Sequence, residues 1–192
     1  MDKKRIADFF DSYASSWDDS MQIREDVISD ILDLAQIGEN SEVLDVASGT
    51  GVLFPFYKRL GASVTGVDIS AEMVRLAKEK FPETEIICAD VENYNFNKQF
   101  DVIMIHNAFP HFPDGKQLIS YLSAFLKQDG RLVIAHSMSE AELESCHSGA
   151  AKEVSLPLPS KEELSALMEP YLKADVAVSD DRMYFVSGIK KQ

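Results

Sequence analysis

Two cysteines, Cys88 and Cys146, are all that this chain of 192 residues contains. One falls on a short apolar run and the other in a polar, helix-like stretch, so no structural disulfide is expected. A reducing, cytoplasmic setting follows as the simplest expectation. Basic residues are scarce too: 19 Lys and Arg stand against 32 Asp and Glu, for a net charge of −13. They are scattered without a basic block. That argues against nucleic acid as a partner, because phosphates need a cationic surface, and against an anionic membrane surface. No uncharged apolar run is long enough to span a bilayer. The start, MDKKRIADFFD, is basic but leads into Phe9-Phe10-Asp11 rather than a signal-peptide apolar region. Internal repeats and low-complexity segments are absent.

What the chain does have is a core-forming composition, 45% hydrophobic, at a length that suits one domain over residues 1–192. It is organised around residues 43–53, VLDVASGTGVL. Val43 to Val46 reads as a buried strand, Ala47 to Gly51 as a small-residue turn, and residues 52–60 as a helix. A strand entering a Gly-rich turn and then a helix lets backbone N–H groups approach a ligand. A second strand over residues 63–67 ends in Asp68, and a third apolar run over residues 85–89 ends in Asp90. An acidic residue at such a strand end can bind a ribose diol.

A dinucleotide-binding fold competes at this turn. Its fingerprint, G-x-G-x-x-G, is met by Gly49 and Gly51 but not by Phe54, which stands at the third glycine. A phenylalanine blocks the close helix–strand approach which that glycine permits. A tight turn that binds nothing is the other alternative. It leaves the acidic strand ends unexplained.

The rest of the chain alternates in the same manner. Residues 4–18 place Ile6, Phe9, Phe10, Tyr13 and Trp17 at helical spacing, and residues 22–37 form a second helix ended by Gly38 as a C-terminal cap. Ser70 caps a helix over residues 71–81, stopped by Pro82. A fourth strand is expected at residues 100–105, a helix at 116–127, a turn at Asp129-Gly130, and a fifth strand at 131–135. Residues 138–153 read as a polar helix. Ser160 and Glu163 form a capping box for a helix over about residues 161–171, and residues 174–190 read as a hairpin.

VLDVASGTG resembles the first motif of the class I S-adenosylmethionine-dependent methyltransferases, which usually carries Gly where Ala47 stands. VTGVDIS resembles the second, ICADVENYNF the third, and LKQDGRLVIAHS the late motif that opens the fifth strand. The resemblance covers most of the chain. It implies a Rossmann-like α/β fold: a seven-stranded, mostly parallel sheet with helices on both faces and an antiparallel last strand. It implies S-adenosylmethionine as cofactor, S-adenosylhomocysteine as product, and a cofactor site made of Asp45, Ala47, Gly49, Gly51, Asp68 with Ile69, Met73, Asp90, Val91 and His106. Asp68 would take the ribose, Asp90 the adenine amino group and Val91 its ring. Met73 would pack on the adenine or serve the core, and His106 would touch the cofactor through its backbone. FFDSYASSWDD resembles the N-terminal lid helix of small-molecule methyltransferases, so residues 1–22 would form a lid with Tyr13 and Trp17 over the methionine end. An amphipathic helix packed on the core is the plain alternative.

The four histidines all fall between residues 106 and 147. His106 and His136 follow the fourth and fifth strands, His111 trails the fourth, and His147 lies further on beside Cys146. In an open α/β sheet the ligand lies beyond the carboxyl ends of the strands. Methyl transfer from a sulfonium is an in-line displacement. The enzyme aligns the reactants, excludes water, and removes a proton from a hydroxyl, thiol or amine acceptor. An imidazole titrates in the right range, so His111 or His136 is the expected base, with both facing one cavity. A metal of unknown identity on the His106/His111/His136/His147 cluster is an alternative, although the spacing matches no zinc signature. Histidines with no role are the third reading.

The expected activity is methyl transfer to a small molecule, covered by the lid and by residues 137–159 as a substrate-side cap. A protein that binds S-adenosylmethionine or S-adenosylhomocysteine without turnover is the alternative from another class. The acceptor atom is not legible, and a monomer or a homodimer would serve.

Overall fold

The computed structural model describes residues 2–20, 22–146 and 149–191. His147 therefore lies outside the described residues. Seven strands form one sheet: β1 (Glu42–Val46), β2 (Ser63–Asp68), β3 (Glu85–Cys88), β4 (Phe100–His106), β5 (Leu126–His136), β6 (Leu172–Ser179) and β7 (Tyr184–Lys190). Their order is β3-β2-β1-β4-β5-β7-β6. The first five run parallel, and β7 inserts antiparallel between β5 and β6. The chain builds outward from β1 through β2 to β3 and then returns to lay β4 on the other flank of β1. That reversal makes the carboxyl ends of β1 and β4 the topological switch point, where open α/β sheets take ligands.

Helices cover both faces, which is why the central strands read as unbroken apolar runs. Leu44, Ile103, Ile105, Leu132 and Ile134 pack on one side with Leu118, Ile119 and Leu122 of α6 (Gly115–Ser123) and Leu164 and Met168 of α8 (Lys161–Met168). Val43, Val102, Met104 and Val133 face the other side. They meet α3 (Glu25–Leu34), α4 (Phe54–Arg59) and α5 (Ala71–Lys80). The N-terminal α1 (Lys3–Tyr13) continues through one 3₁₀ turn into the short α2 (Trp17–Ser20). The segment after β5 forms α7 (Glu140–Cys146) and a 3₁₀ stretch, Gly149–Val154. Among the described residues no helix is long and apolar enough to cross a membrane.

Two local expectations change. The helix ahead of β1 is closed by Gln36, not Gly38: Gln36 takes the left-handed conformation at φ 58°. Its N–H donates to Asp33 O at 3.0 Å and that of Ile37 to Leu32 O at 3.2 Å, the two bonds of a Schellman cap. Asp129-Gly130 is not a turn between elements but an irregularity inside β5, with the ladder slipping between Phe100 and Val102. Asp129 has φ 59°, and a Cβ on Gly130 would lie 2.9 Å from Lys127 O and 3.0 Å from Phe100 O. Backbone crowding therefore requires glycine there. The capping box at Ser160 and Glu163 forms as expected.

Candidate functional site

The turn after β1 is built from left-handed residues. Ala47 has φ 55°, Gly49 54° and Gly51 83°. An alanine in that region pays for its Cβ by about 1–2 kcal/mol, at the position where the resembled motif carries glycine. Asp68, at the end of β2, anchors the turn. Its carboxylate accepts from the Gly49 N–H at 2.8 Å and the Ser70 N–H at 2.8 Å. Burial pushes the Asp68 carboxyl upward. The backbone donors Ser70, Gly49 and Ile69 pull it back only in part. Phe54, which breaks the dinucleotide fingerprint, is accommodated from the strand side. A Cβ on Gly66 of β2 would come within 2.7 Å of the Phe54 ring. The close approach survives with the glycine moved from helix to strand.

At the end of β3, Asp90 accepts from Lys3 Nζ at 2.8 Å and Asn93 Nδ2 at 2.6 Å, and Lys3 also pairs with the buried Glu92 at 2.6 Å. Burial lowers the Lys3 pKa, but its hydrogen bonds to Asp90 and Glu92 outweigh that, and the net shift is upward. Lys3 thus ties the N-terminal helix to this strand end. Asp11 accepts from Ser70 Oγ at 2.5 Å and the Glu72 N–H at 3.0 Å. Asp18 accepts from Thr50 Oγ1 at 2.5 Å and Lys80 Nζ at 2.6 Å. Arg5 pairs with Glu153 of the 3₁₀ stretch after α7. The helix is held across the site by polar contacts at its length, while Ile6, Phe10 and Trp17 point into the space beneath.

The fourth wall is the loop after β4. Asn107 is left-handed at φ 54°. Its side chain bridges to Ser137 at the end of β5, accepting from Ser137 N at 3.0 Å. The 3₁₀ turn Phe109–His111 follows. His111 Nδ1 lies 2.9 Å from Val154 O and 3.2 Å from Ser155 Oγ. A carbonyl only accepts, so Nδ1 carries the proton and the lone pair of the neutral ring is on Nε2. The His111 ring meets Phe10 edge-on with centroids 4.9 Å apart, and Phe10 meets Trp17 at 5.5 Å. Together these walls enclose a cleft with about 960 Å³ of empty space counted out to its mouth.

Ten of the expected residues line this cleft: Trp17, Ala47, Gly49, Asp68, Ile69, Met73, Asp90, Val91, His106 and His111. Met73 is also 1% exposed, so it serves core and cleft together. Four do not line it. Tyr13 points outward at 44% exposure, because Phe10, not Tyr13, shares a helix face with Trp17 seven positions on. Asp45 is buried under the turn, its carboxyl raised well above the ordinary range by burial and then by Asp68. Gly51 lies against the Phe54 and Phe81 rings.

The fourth, His136, is the main correction. It stays in the β5 ladder, paired with Tyr184 of the inserted β7, fully buried with the two ring centroids 6.0 Å apart. His111 and His136 therefore do not share a cavity. Among the described residues no three His, Cys, Asp or Glu side chains converge as a metal site would need. Lys3, Ile6, Phe10, Ser48, Thr50 and Asn107 also line the cleft and escape sequence reasoning. Ile6 and Phe10 stood at helical spacing with Trp17, and Ser48 and Thr50 within the turn, but nothing local marks Lys3 or Asn107.

Comparison with known proteins agrees with this architecture. A family profile described as "Methyltransferase domain" matches residues 44–134. An uncharacterized methyltransferase of Alkaliphilus oremlandii is 31% identical over 153 residues, covering 71% of each chain. A malonyl-[acyl-carrier protein] O-methyltransferase of Acetivibrio thermocellus is 28% identical over 141 residues. That match covers 70% of this chain but only 50% of its own length. Among solved structures, a SAM-dependent methyltransferase from Aquifex aeolicus superposes with a TM-score of 0.76 at 19% identity. The superposition covers 94% of this chain and 98% of that one. The strand order, the left-handed turn after β1 and these relatives together place the chain in the methyltransferase domain family, as a class I S-adenosylmethionine-dependent methyltransferase.

Proposed function

We propose that the cleft at the switch point binds S-adenosylmethionine and a small-molecule acceptor, and that His111 takes the acceptor's proton. The observation that carries this reading is that the left-handed turn after β1 and the acidic strand ends Asp68 and Asp90 line one cleft at the switch point. Turn backbone and a strand-end carboxylate at that place are the groups that hold a ribose-bearing ligand in open α/β sheets. The cofactor fits what surrounds them. Asp68 offers carboxylate lone pairs for ribose hydroxyls, Gly49 and Ala47 bring backbone close, and Val91 and Met73 give an apolar bed for adenine. The bound cofactor supplies an electrophilic methyl group on a positively charged sulfur.

The chain's own residues do the rest. Ile6, Phe10 and Trp17 exclude water and fix the acceptor's approach. His111, with Nδ1 donating to Val154 O, presents the basic Nε2 as proton acceptor. The cleft is closed by the N-terminal helix, and Val154 O holds the His111 ring from behind, which favours a small molecule. Titration calorimetry with S-adenosylmethionine, followed by an assay for S-adenosylhomocysteine over an acceptor panel, tests the reading. Binding with turnover of one or more small acceptors supports it, and failure to bind the cofactor refutes it.

A further inference from the structure

The strand order sets the order of groups along the cleft. Asp90 follows β3, Asp68 ends β2, the left-handed turn follows β1, and His106 and His111 stand at and beyond the end of β4. A ligand with its ribose at Asp68 and its sulfur toward β4 therefore has its base at β3. Asp68 and Asp90 are the carboxylates among the described lining residues, so Asp90 is the side-chain acceptor there for an amino group on the base.

Asp90 has no acceptor site to spare. A carboxylate offers about four lone-pair sites. Oδ1 accepts from Lys3 Nζ at 2.9 Å and the Glu92 N–H at 3.2 Å. Oδ2 accepts from Lys3 Nζ at 2.8 Å and Asn93 Nδ2 at 2.6 Å. The Glu92 and Asn93 donors belong to the turn that Asp90 itself caps, whereas Lys3 comes from α1. Lys3 lines the cleft with Asp90, and Glu92 and Asn93 do not. Its place follows from the helix: Lys3, Ile6 and Phe10, at steps of three and four, share the face that covers the cleft.

Lys3 also has somewhere else to go. Glu92 Oε2 lies 2.6 Å from its Nζ, on a side chain only 4% exposed. A buried carboxylate holds its cation strongly, because losing it strands a charge. Lys3 can therefore give up Asp90 and remain on Glu92, while Asp11 and Asp18 keep the helix docked.

We infer that Lys3 and the amino group of the cofactor's base compete for Asp90, so that Lys3 sets how strongly the cleft prefers a 6-amino purine. A neutral amine gains less from a carboxylate than an ammonium does. The exchange thus discounts the base contact, and Lys3 withdraws to Glu92 as the amine takes its place. The inference rests on the cleft binding S-adenosylmethionine with its ribose at Asp68.

Two ligands read the competition by titration calorimetry: S-adenosylhomocysteine, and its analogue with purine for adenine, which lacks the 6-amino group. The ratio of their affinities measures the worth of the amine. Lys3→Met keeps the aliphatic stem and removes the charge. The ratio should rise about fivefold, the net worth of one hydrogen bond, because S-adenosylhomocysteine binds more tightly. Lys3→Met also strips Glu92 of its cation, so Lys3→Met combined with Glu92→Gln is made alongside. It should show the same rise, and it decides the matter if the single variant does not fold. A ratio that is unchanged or lower, or that rises only because the analogue binds less, overturns the inference; a lysine that merely tethers the helix would affect both ligands alike. Wild-type affinity for S-adenosylhomocysteine is measured first. Its absence would refute the site assignment instead, so the two failures are told apart.

Discussion

The turn after β1 and the loop after β4 face each other across the cleft, and they hold their shapes by different means. The turn is a backbone device. Left-handed Ala47, Gly49 and Gly51 curl the chain, and the Asp68 carboxylate locks it through two N–H donors at 2.8 Å. The loop is a side-chain device. Asn107 bridges to Ser137, His111 is pinned by Val154 O, and Phe10 leans on its ring. The first is suited to gripping a constant ligand, since backbone donors do not vary with side chain. The second can change chemistry one substitution at a time, which suits an acceptor.

That contrast is breakable at several points. The largest effect should come from the histidines. His111→Ala should lower turnover by about 10²–10⁴ with cofactor affinity intact, and the residual rate should lose its dependence on pH near neutrality. His136→Ala should do the reverse: turnover of the folded variant stays near wild type, while denaturant unfolding shows a loss of roughly 2–5 kcal/mol from the emptied core position.

Next in size is a pH effect on stability. His106 has a folded pKa of about 4, below the 6.5 of a free histidine, so the folded state resists its protonation. Wild type should therefore lose stability relative to His106→Gln as pH falls from about 6.5 to about 4, by roughly 3 kcal/mol in all. The raised carboxyls of Asp45 and Asp68 act in the opposite direction as they protonate, and the variant shares them. Unfolding curves for both proteins across that window check the difference.

On the turn side, Asp68→Ala removes a partner for ribose hydroxyls. Charge-assisted hydrogen bonds are worth about 1.5–3 kcal/mol each, so S-adenosylmethionine should bind at least tenfold more weakly by calorimetry. The smallest effect should be Ala47→Gly. It relieves a left-handed alanine at the cost of some unfolded-state entropy, and should raise stability by no more than about 1 kcal/mol in a chemical denaturation series.

The two sides also differ in how far sequence could reach them. The turn, Asp68 and Asp90 were legible because strand, turn and helix are consecutive, and their chemistry is local. The sheet's alternation was equally plain, as Val43 to Val46 and residues 102–105 are buried on both faces. His136 was misplaced because its neighbour Tyr184 comes from a strand inserted late in the chain, and no local pattern announces that pairing. Tyr13 and Phe10 exchanged roles because helical spacing gives a face but not which face meets the cleft. Lys3 was invisible because its partners, Asp90 and Glu92, are brought to it only by tertiary packing.

A crystal structure of the protein with S-adenosylhomocysteine tests the central claim most directly. The account predicts the ribose hydroxyls on the Asp68 carboxylate, the sulfur turned toward the side that holds His111, and His136 still buried against Tyr184. A ligand seated elsewhere, or a sulfur turned away from His111, would contradict it.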